Sequence, residues 1–229
     1  MDAEARASAA YLVDKLPSVP APSRLLVGIA GIPASGKSEF AVLVNRYTNA
    51  LLEGRDEKAT LVGLDGWHLT RAQLDAMSDP KLAHDKRGAH WTFDGESYVA
   101  FVRALRQEPT GVITAPSFDH AVKDPTPHAV AIHPHHRIVI IEGLYTYLSV
   151  EPWCEAGRLL DERWLIEISL EEAEKRLVKR HVLSGVAKDH NEAVWRSNTN
   201  DMPNGRFLLE NILEPTKVIP SVHDPALAK

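Results

Sequence analysis

The chain has 229 residues, a length that predicts one domain, residues 1–229, with a sizeable core. Hydrophobic residues make up 44% and charged residues 25%, which is typical of a water-soluble globular protein and argues against a disordered, fibrous or membrane-spanning chain. The formal net charge of -5 leaves no excess of Lys and Arg, so we expect no nucleic-acid partner. The single cysteine, Cys154, excludes an internal disulfide and a thiolate metal site.

The hydrophobic runs are too short to cross a membrane. None approaches the ~18 apolar residues of a spanning helix, so we expect no membrane partner. The first residues mix acidic and basic side chains without an apolar core, a pattern that is typical of neither a signal nor a transit peptide. These features predict a cytoplasmic protein.

In chain order, residues 2–15 predict a peripheral helix, and a proline-spaced linker continues to residue 23. Strands and helices then alternate, which predicts an α/β fold with a mainly parallel sheet between two layers of helices. The predicted strands are 25–30, 59–64, 111–115, 137–141, 164–168 and 217–219, and the predicted helices are 38–52, 96–105 and 171–183.

Two long polar stretches, 66–95 and 184–204, do not follow this alternation. Long polar insertions in a compact domain are often functional loops. We therefore expect substrate contacts there, and we expect the second stretch to be a helical lid.

Residues 31–38 have the sequence GIPASGKS, which matches the phosphate-loop pattern G-x-x-x-x-G-K-[ST] between a predicted strand and a predicted helix. Glycines let backbone N–H groups face a phosphate, Lys37 reaches the β and γ phosphates, and Ser38 ligates magnesium. The pattern predicts a P-loop fold that binds ATP and Mg²⁺. The expected nucleotide-binding residues are Gly31, Ala34, Ser35, Gly36, Lys37, Ser38 and Glu39.

Acidic residues follow two predicted strands. One strand ends in Asp65-Gly66, and the carboxyl ends of parallel strands face the same crevice as the phosphate loop. Asp65 is therefore a candidate base for an attacking hydroxyl, although Asp-Gly is also a common turn pair. The strand 137–141 ends in Glu142-Gly143 rather than Asp, and no N-K-x-D motif occurs, which argues against a GTPase.

Taken in order, the motifs GIPASGKS at 31–38, GLDGWHL at 63–69, APSFDH at 115–120 and IIEGLY at 140–145 resemble those of the phosphoribulokinase/uridine kinase family of P-loop kinases. Residues 211–216 resemble the Asn-Ile-Leu-Pro-Thr turn of pantothenate kinases with one residue inserted. The resemblance covers residues 24 to 220. The element Asn200-Asp201-Met202-Pro203-Asn204 resembles one in a branch of kinase-like proteins from bacteria and fungi.

The resemblance implies roles for single residues. Asp65 is the base or a carboxylate near magnesium, and Glu142 supports magnesium, through water. Arg87 meets a polar or anionic acceptor. Phe118, His120 and Tyr145 line the acceptor pocket, and Pro215 and Thr216 belong to the loop beside the nucleotide base.

Arg176 and Arg180 stand four residues apart, hence on one face of the helix that enters the lid. There they would neutralise charge on the transferring phosphoryl group. The alternative is an exposed helix face that pairs with Glu172.

The histidines at 133, 135 and 136 suggest a metal site, but without ligand spacing to Cys or carboxylates an exposed loop is favoured. Trp67, Trp91 and Trp195 either stack on a ring-bearing substrate or belong to the core or rim.

Together these features predict an ATP-dependent kinase, acting as monomer or homodimer, that phosphorylates a hydroxyl of a small metabolite. The alternative is a regulatory nucleotide-binding ATPase without an acceptor. Nucleoside, sugar, glycerate-like and pantothenate-like acceptors stay open.

Overall fold

A five-stranded parallel sheet with helices on both faces forms the centre of the molecule. The computed structural model describes residues 1–119 and 122–222. The strands are β1 Leu25–Ala30, β2 Lys58–Gly63, β3 Ile113–Asp119, β4 Asp124–Ile132, β5 His136–Glu142, β6 Glu162–Glu167 and β7 Lys217–Pro220. The helices are α1 Asp2–Lys15, α2 Lys37–Leu51, α3 Arg71–Asp75, α4 Pro80–Asp85, α5 Gly95–Arg106, α6 Trp153–Leu159, α7 Leu170–Leu183, α8 His190–Arg196 and α9 Met202–Glu210.

The sheet has the strand order β2-β5-β1-β6-β7, and every neighbouring pair is parallel. β1 lies at the centre and all six of its residues are buried. Burial on both faces explains its unbroken apolar sequence, because a strand covered by helices on both sides has no solvated face. The predicted parallel α/β architecture is confirmed.

Each face of the sheet carries its own core. On one face, α1 and α2 enclose a cluster that includes Leu12, Phe40 and Trp164. On the other face, α5 and α6 enclose a cluster that includes Tyr98 and Trp153. The predicted peripheral helix α1 is therefore packed, and Tyr11 at its end donates a 2.6 Å hydrogen bond to the Glu162 carboxylate at the start of β6.

One predicted strand lies outside the main sheet. The stretch predicted as 111–115 becomes β3, which pairs antiparallel with β4 in a separate two-stranded ribbon. Proline explains the separation: Pro116, Pro125 and Pro127 lack the N–H groups that an interior strand needs. The pairing shifts register between Ala115 and Ser117.

The two polar stretches are largely helical. Residues 66–95 contain α3 and α4, and residues 184–204 contain α8, a π-helical turn at Ser197–Asp201 and the start of α9. Across the two described ranges, no helix combines the length and the apolar character needed to cross a membrane.

Candidate active site

The phosphate loop connects the carboxyl end of β1 to the first turn of α2. Its backbone is left-handed at Ala34, with φ of 63°, and at Gly36, with φ of 86°. A Cβ on Gly31 would lie 2.6 Å from Ser35 Oγ and 2.9 Å from the Ile166 carbonyl oxygen, so only glycine fits there. The loop therefore has the tight path that directs N–H groups and a helix N-terminus toward an anion.

Lys37, Ser38 and Glu142 meet beside this loop. Ser38 Oγ donates a 3.0 Å hydrogen bond to Glu142 Oε1, and Lys37 Nζ lies 3.9 Å from the same oxygen. Burial raises the pKa of Glu142, the Asp65 charge raises it further, and Lys37 and Ser38 oppose this shift. The Asp65 carboxylate is thus part of the same electrostatic group.

A hydroxyl and a carboxylate, both oxygen ligands, are what Mg²⁺ takes from a protein when nucleotide phosphates and water complete its shell. Ser38 and Glu142 fit that donor set, so they are the residues that would hold the ion. Within the described ranges, His, Cys, Asp and Glu form no group of three suited to a metal.

Asp65 lies in a short 3₁₀ turn, Leu64–Trp67, directly after β2. Its carbonyl oxygen accepts a 3.1 Å hydrogen bond from the His68 N–H, so the residue does form a turn. Two glycines permit close packing around it. A Cβ on Gly66 would lie 2.3 Å from the Pro116 carbonyl oxygen, and a Cβ on Gly143 would lie 2.3 Å from Leu64 Cβ. The turn places the Asp65 carboxylate near enough to Glu142 for its charge to raise the Glu142 pKa. Asp65 therefore forms a turn and is still a candidate base.

Arg87 is held by protein groups. Its Nη2 donates 2.7 Å to the Leu69 carbonyl oxygen and lies 3.7 Å from Asp124 Oδ1, while Nη1 donates 2.5 Å to the Lys123 carbonyl oxygen. The guanidinium carbon lies 5.4 Å from the centre of the Phe118 ring. Arg87 therefore ties the 66–95 stretch to the β3–β4 ribbon, and its contact with a polar or anionic acceptor stays a prediction.

Phe118 and Tyr145 contact different residues of the 66–95 stretch. The Phe118 ring stacks near His68, with centroids 4.6 Å apart. Tyr145 is fully buried, and its hydroxyl donates a 3.0 Å hydrogen bond to the Gly88 carbonyl oxygen. Burial raises the pKa of Tyr145, with a further contribution from the Asp201 charge. Tyr145 thus contacts the 66–95 stretch from the core, and its place in an acceptor pocket stays a prediction. The predicted pocket residue His120 falls outside the described residues.

The two lid arginines differ in their surroundings. Arg176 Nε lies 2.8 Å from Glu172 Oε1, and its Nη1 donates 3.0 Å to Ser221 Oγ. Ser221 Oγ in turn donates 2.7 Å to the Ser35 carbonyl oxygen in the phosphate loop. The predicted pairing of Arg176 with Glu172 is present. Arg180 is exposed and lies in the last turn of α7, next to His181.

No family model matches the chain, but curated proteins do. An ATP-dependent kinase-like protein, notR', from Aspergillus versicolor is 46% identical over 160 residues, which cover 69% of this chain and 93% of that protein. A Schizosaccharomyces pombe protein named provisionally as a uridine kinase is 34% identical over 86% of this chain and 83% of its own length. This chain belongs to the phosphoribulokinase/uridine kinase family of P-loop kinases. A solved structure from Silicibacter sp. TM1040, described provisionally as a fructose transport system kinase, superposes with a TM-score of 0.80 at 28% identity, covering 93% of this chain and 98% of that one.

Within this kinase fold, the placement of Pro215 and Thr216 beside the nucleotide base stays a prediction. Thr216 precedes β7, and its Oγ1 accepts a 3.0 Å hydrogen bond from the Arg163 N–H near the start of β6. Arg163 pairs with Gly28 of β1, so Thr216 lies level with the middle of that strand. The residue from this part of the chain that reaches the loop is Ser221, after the carboxyl end of β7.

Sequence reasoning also missed Asp201 in the kinase lid. Asp201 ends the π-helical turn, and its Oδ2 lies 3.7 Å from His181 Nε2 on α7. The neighbouring Asn200 donates a 2.8 Å hydrogen bond to the Arg87 carbonyl oxygen. A Cβ on Gly205 would lie 3.2 Å from Ile32 Cβ in the phosphate loop, so α9 packs directly on that loop. The signal in the sequence was the Asn200–Asn204 element itself, for which the resemblance gave no role.

Proposed function

We propose that this protein transfers the γ-phosphoryl group of ATP to a hydroxyl of a small molecule. The observation that carries the proposal is the group formed by Lys37, Ser38, Glu142 and Asp65 at one edge of the sheet. A phosphate loop with a second carboxylate beside it has both a nucleotide site and a base for an acceptor. Membership in a kinase family supports the same conclusion.

In the proposed reaction, the acceptor oxygen forms a bond to the γ-phosphorus and the bond to the β–γ bridging oxygen breaks. The hydroxyl proton passes to the Asp65 carboxylate, and ADP leaves. Lys37 and the phosphate-loop N–H groups hold the phosphates in line with the acceptor. Ser38 and Glu142 would hold a magnesium ion, which would supply positive charge to the nucleotide phosphates.

The lid contributes positive charge and excludes water from the reaction. Arg180 on α7 adds positive charge that matters most while the phosphoryl group is between the two oxygens. The lid elements α8 and α9 exclude water, which otherwise competes with the acceptor hydroxyl for the phosphoryl group.

The test measures ATP turnover with and without a panel of hydroxylated metabolites. We expect turnover to rise with at least one acceptor and a phosphorylated product to accumulate. The Lys37→Ala variant should lose transfer by at least about 100-fold at an unchanged melting temperature, because it removes a phosphate-neutralising charge. Lys81→Ala, which removes an exposed lysine paired with Asp85, is the matched control.

Two results would contradict the proposal. Turnover that no acceptor changes would favour a regulatory ATPase. Transfer by Lys37→Ala above about a tenth of the wild-type rate would show that the phosphate loop does not perform the chemistry.

A further inference from the structure

One hydroxyl connects the phosphate loop to the lid helix α7. Ser221, directly after β7, donates a 2.7 Å hydrogen bond from its Oγ to the Ser35 carbonyl oxygen in the phosphate loop. The same Oγ accepts a 3.0 Å hydrogen bond from Arg176 Nη1 on α7. A Cβ on Gly36 would lie 3.9 Å from this Oγ. Three segments that are distant in sequence therefore meet at the Ser221 side chain.

The position of this hydroxyl is fixed by the elements around it. The Ser221 N–H donates a 2.7 Å hydrogen bond to the Glu167 carbonyl oxygen at the end of β6. Arg176 is held in turn by Glu172, one turn earlier in α7, with Arg176 Nε 2.8 Å from Glu172 Oε1. A guanidinium donates hydrogen bonds and accepts none, so Ser221 Oγ accepts from Arg176 and directs its own proton elsewhere. The acceptor of that proton is the Ser35 carbonyl oxygen.

The Ser35 carbonyl belongs to the peptide unit that carries the Gly36 N–H. A peptide unit is planar and trans, so its C=O and N–H groups point in opposite directions. Gly36 has a φ of 86°, and glycine populates positive and negative φ about equally, so the backbone alone does not fix which way this peptide faces. The hydrogen bond from Ser221 holds the carbonyl oxygen toward Ser221, and thereby directs the Gly36 N–H to the opposite side.

The orientation of this peptide matters because phosphate loops bind anions through backbone N–H groups. A flipped peptide would direct the carbonyl oxygen, with its partial negative charge, to the side on which the Gly36 N–H now lies. An oxygen there would repel a phosphate instead of donating to it. A group that prevents the flip therefore affects the affinity for a nucleotide without touching it.

We propose that Ser221 is a positioning residue for the nucleotide phosphates and that Arg176 acts through it. The Ser221 hydroxyl keeps the Gly36 N–H directed at the phosphates, and the Arg176 guanidinium keeps the hydroxyl proton directed at the Ser35 carbonyl oxygen. A charged donor polarises the hydroxyl and strengthens its own hydrogen bond, so the two contacts support each other. This inference rests on the nucleotide site of the proposed function, and adds that α7 influences ATP affinity through a carbonyl group of the loop.

The test compares two side chains of nearly the same shape at position 221. Ser221→Thr keeps a hydroxyl, whereas Ser221→Val has a methyl group in its place. We expect Ser221→Val to bind ATP about three- to tenfold more weakly than Ser221→Thr, in calorimetry with magnesium and no acceptor, because one hydrogen bond is lost. In steady-state kinetics, the KM for ATP should rise by a similar factor, whereas the KM for the acceptor should not change.

A double-mutant cycle tests the route through Ser221. Arg176→Met removes the guanidinium and keeps an aliphatic side chain, and we expect it to weaken ATP binding by about two- to fivefold. Combined with Ser221→Val, it should cause no further loss, because the contact through which it acts is already gone. The matched control is Lys175→Met. Lys175 also lies on α7 and pairs with a glutamate four residues before it, so its loss should leave ATP binding unchanged.

Two results would overturn the inference and leave the kinase proposal intact. Equal ATP affinities of Ser221→Val and Ser221→Thr would show that the hydroxyl does not position the loop. Losses that add in the double variant would show that Arg176 acts on the nucleotide independently of Ser221. Failure of the wild-type protein to bind ATP would overturn both proposals.

Discussion

At the scale of single residues, Asp65 closes a turn through its backbone and carries a negative charge on its side chain. Its carbonyl oxygen closes the turn with the His68 N–H, while its carboxylate acts on Glu142. Asn makes the same turn without the negative charge or the basicity. The two functions of the residue can therefore be separated by a single substitution.

We expect Asp65→Asn to bind ATP with an affinity within a few-fold of wild type, as measured by calorimetry in the presence of magnesium. The value of kcat with the true acceptor should fall by about 10²–10⁴, the usual contribution of a positioned general base. A variant with near-normal turnover and a lowered melting temperature would mean that Asp65 is only a turn former. His120, in the motif at 115–120, would then be the next candidate base.

Asp201 is a partly buried carboxylate whose ionisation opposes folding. Burial raises the pKa of Asp201 from 3.8 to about 6, and the charges of Arg180 and Arg196 only partly offset this effect. Between about pH 4 and pH 6, the unfolded chain loses this proton while the folded protein keeps it. Asp201 therefore lowers the free energy of unfolding as the pH rises from about 4 to about 6. Above about pH 6 this destabilisation is complete.

We predict that Asp201→Asn raises the melting temperature by about 2–6 °C at pH 8 and has no such effect at pH 4. The measurement is thermal unfolding of both proteins across this pH range, with Asp56→Asn as an exposed control. An equal effect of Asp201→Asn at both pH values would show that ionisation is not its cause.

At the scale of elements, α7 carries the lid arginines on one face, but its neighbours hold them differently. Arg176 is fixed by Glu172 and Ser221, whereas Arg180 stands exposed near the end of the helix. A charge that is already paired contributes less to a transition state than a charge that is still available.

We therefore expect Arg180→Ala to lower kcat more than it raises KM for ATP. Arg176→Ala should have the milder effect on kcat. Steady-state kinetics of the two variants distinguish these roles. A change confined to KM in Arg180→Ala, or an equal or larger loss of kcat in Arg176→Ala, would mean that the arginines have been assigned in the wrong order.

The elements that could be predicted from sequence are those with a strong hydrophobic pattern. β1 was predicted at 25–30 and has those bounds, because burial on both faces leaves an unbroken apolar run. β4 was missed, since it is largely exposed and contains Pro125 and Pro127. The π-helical turn at Ser197–Asp201 was also missed, because its polar sequence has no helical hydrophobic period.

At the scale of the whole molecule, sheet topology decides which predicted site residues meet. Lys37, Asp65 and Glu142 come together because each lies at or shortly after the carboxyl end of a parallel strand. Thr216 precedes β7 and bonds to Arg163 near the start of β6, a contact that the local motif did not reveal. The partners of Arg87 were not predictable either, because Asp124 belongs to the ribbon that the sequence did not reveal.

The phosphate loop is fixed from two directions by segments that are distant in sequence. Gly205 of α9 packs against Ile32 and Pro33, and Ser221 beyond β7 bonds to the Ser35 carbonyl oxygen. A loop that is already ordered loses little conformational entropy when a ligand binds, so more of the contact energy remains as affinity. The strand edge, the lid and the end of the described chain thus preorganise a cradle for phosphate.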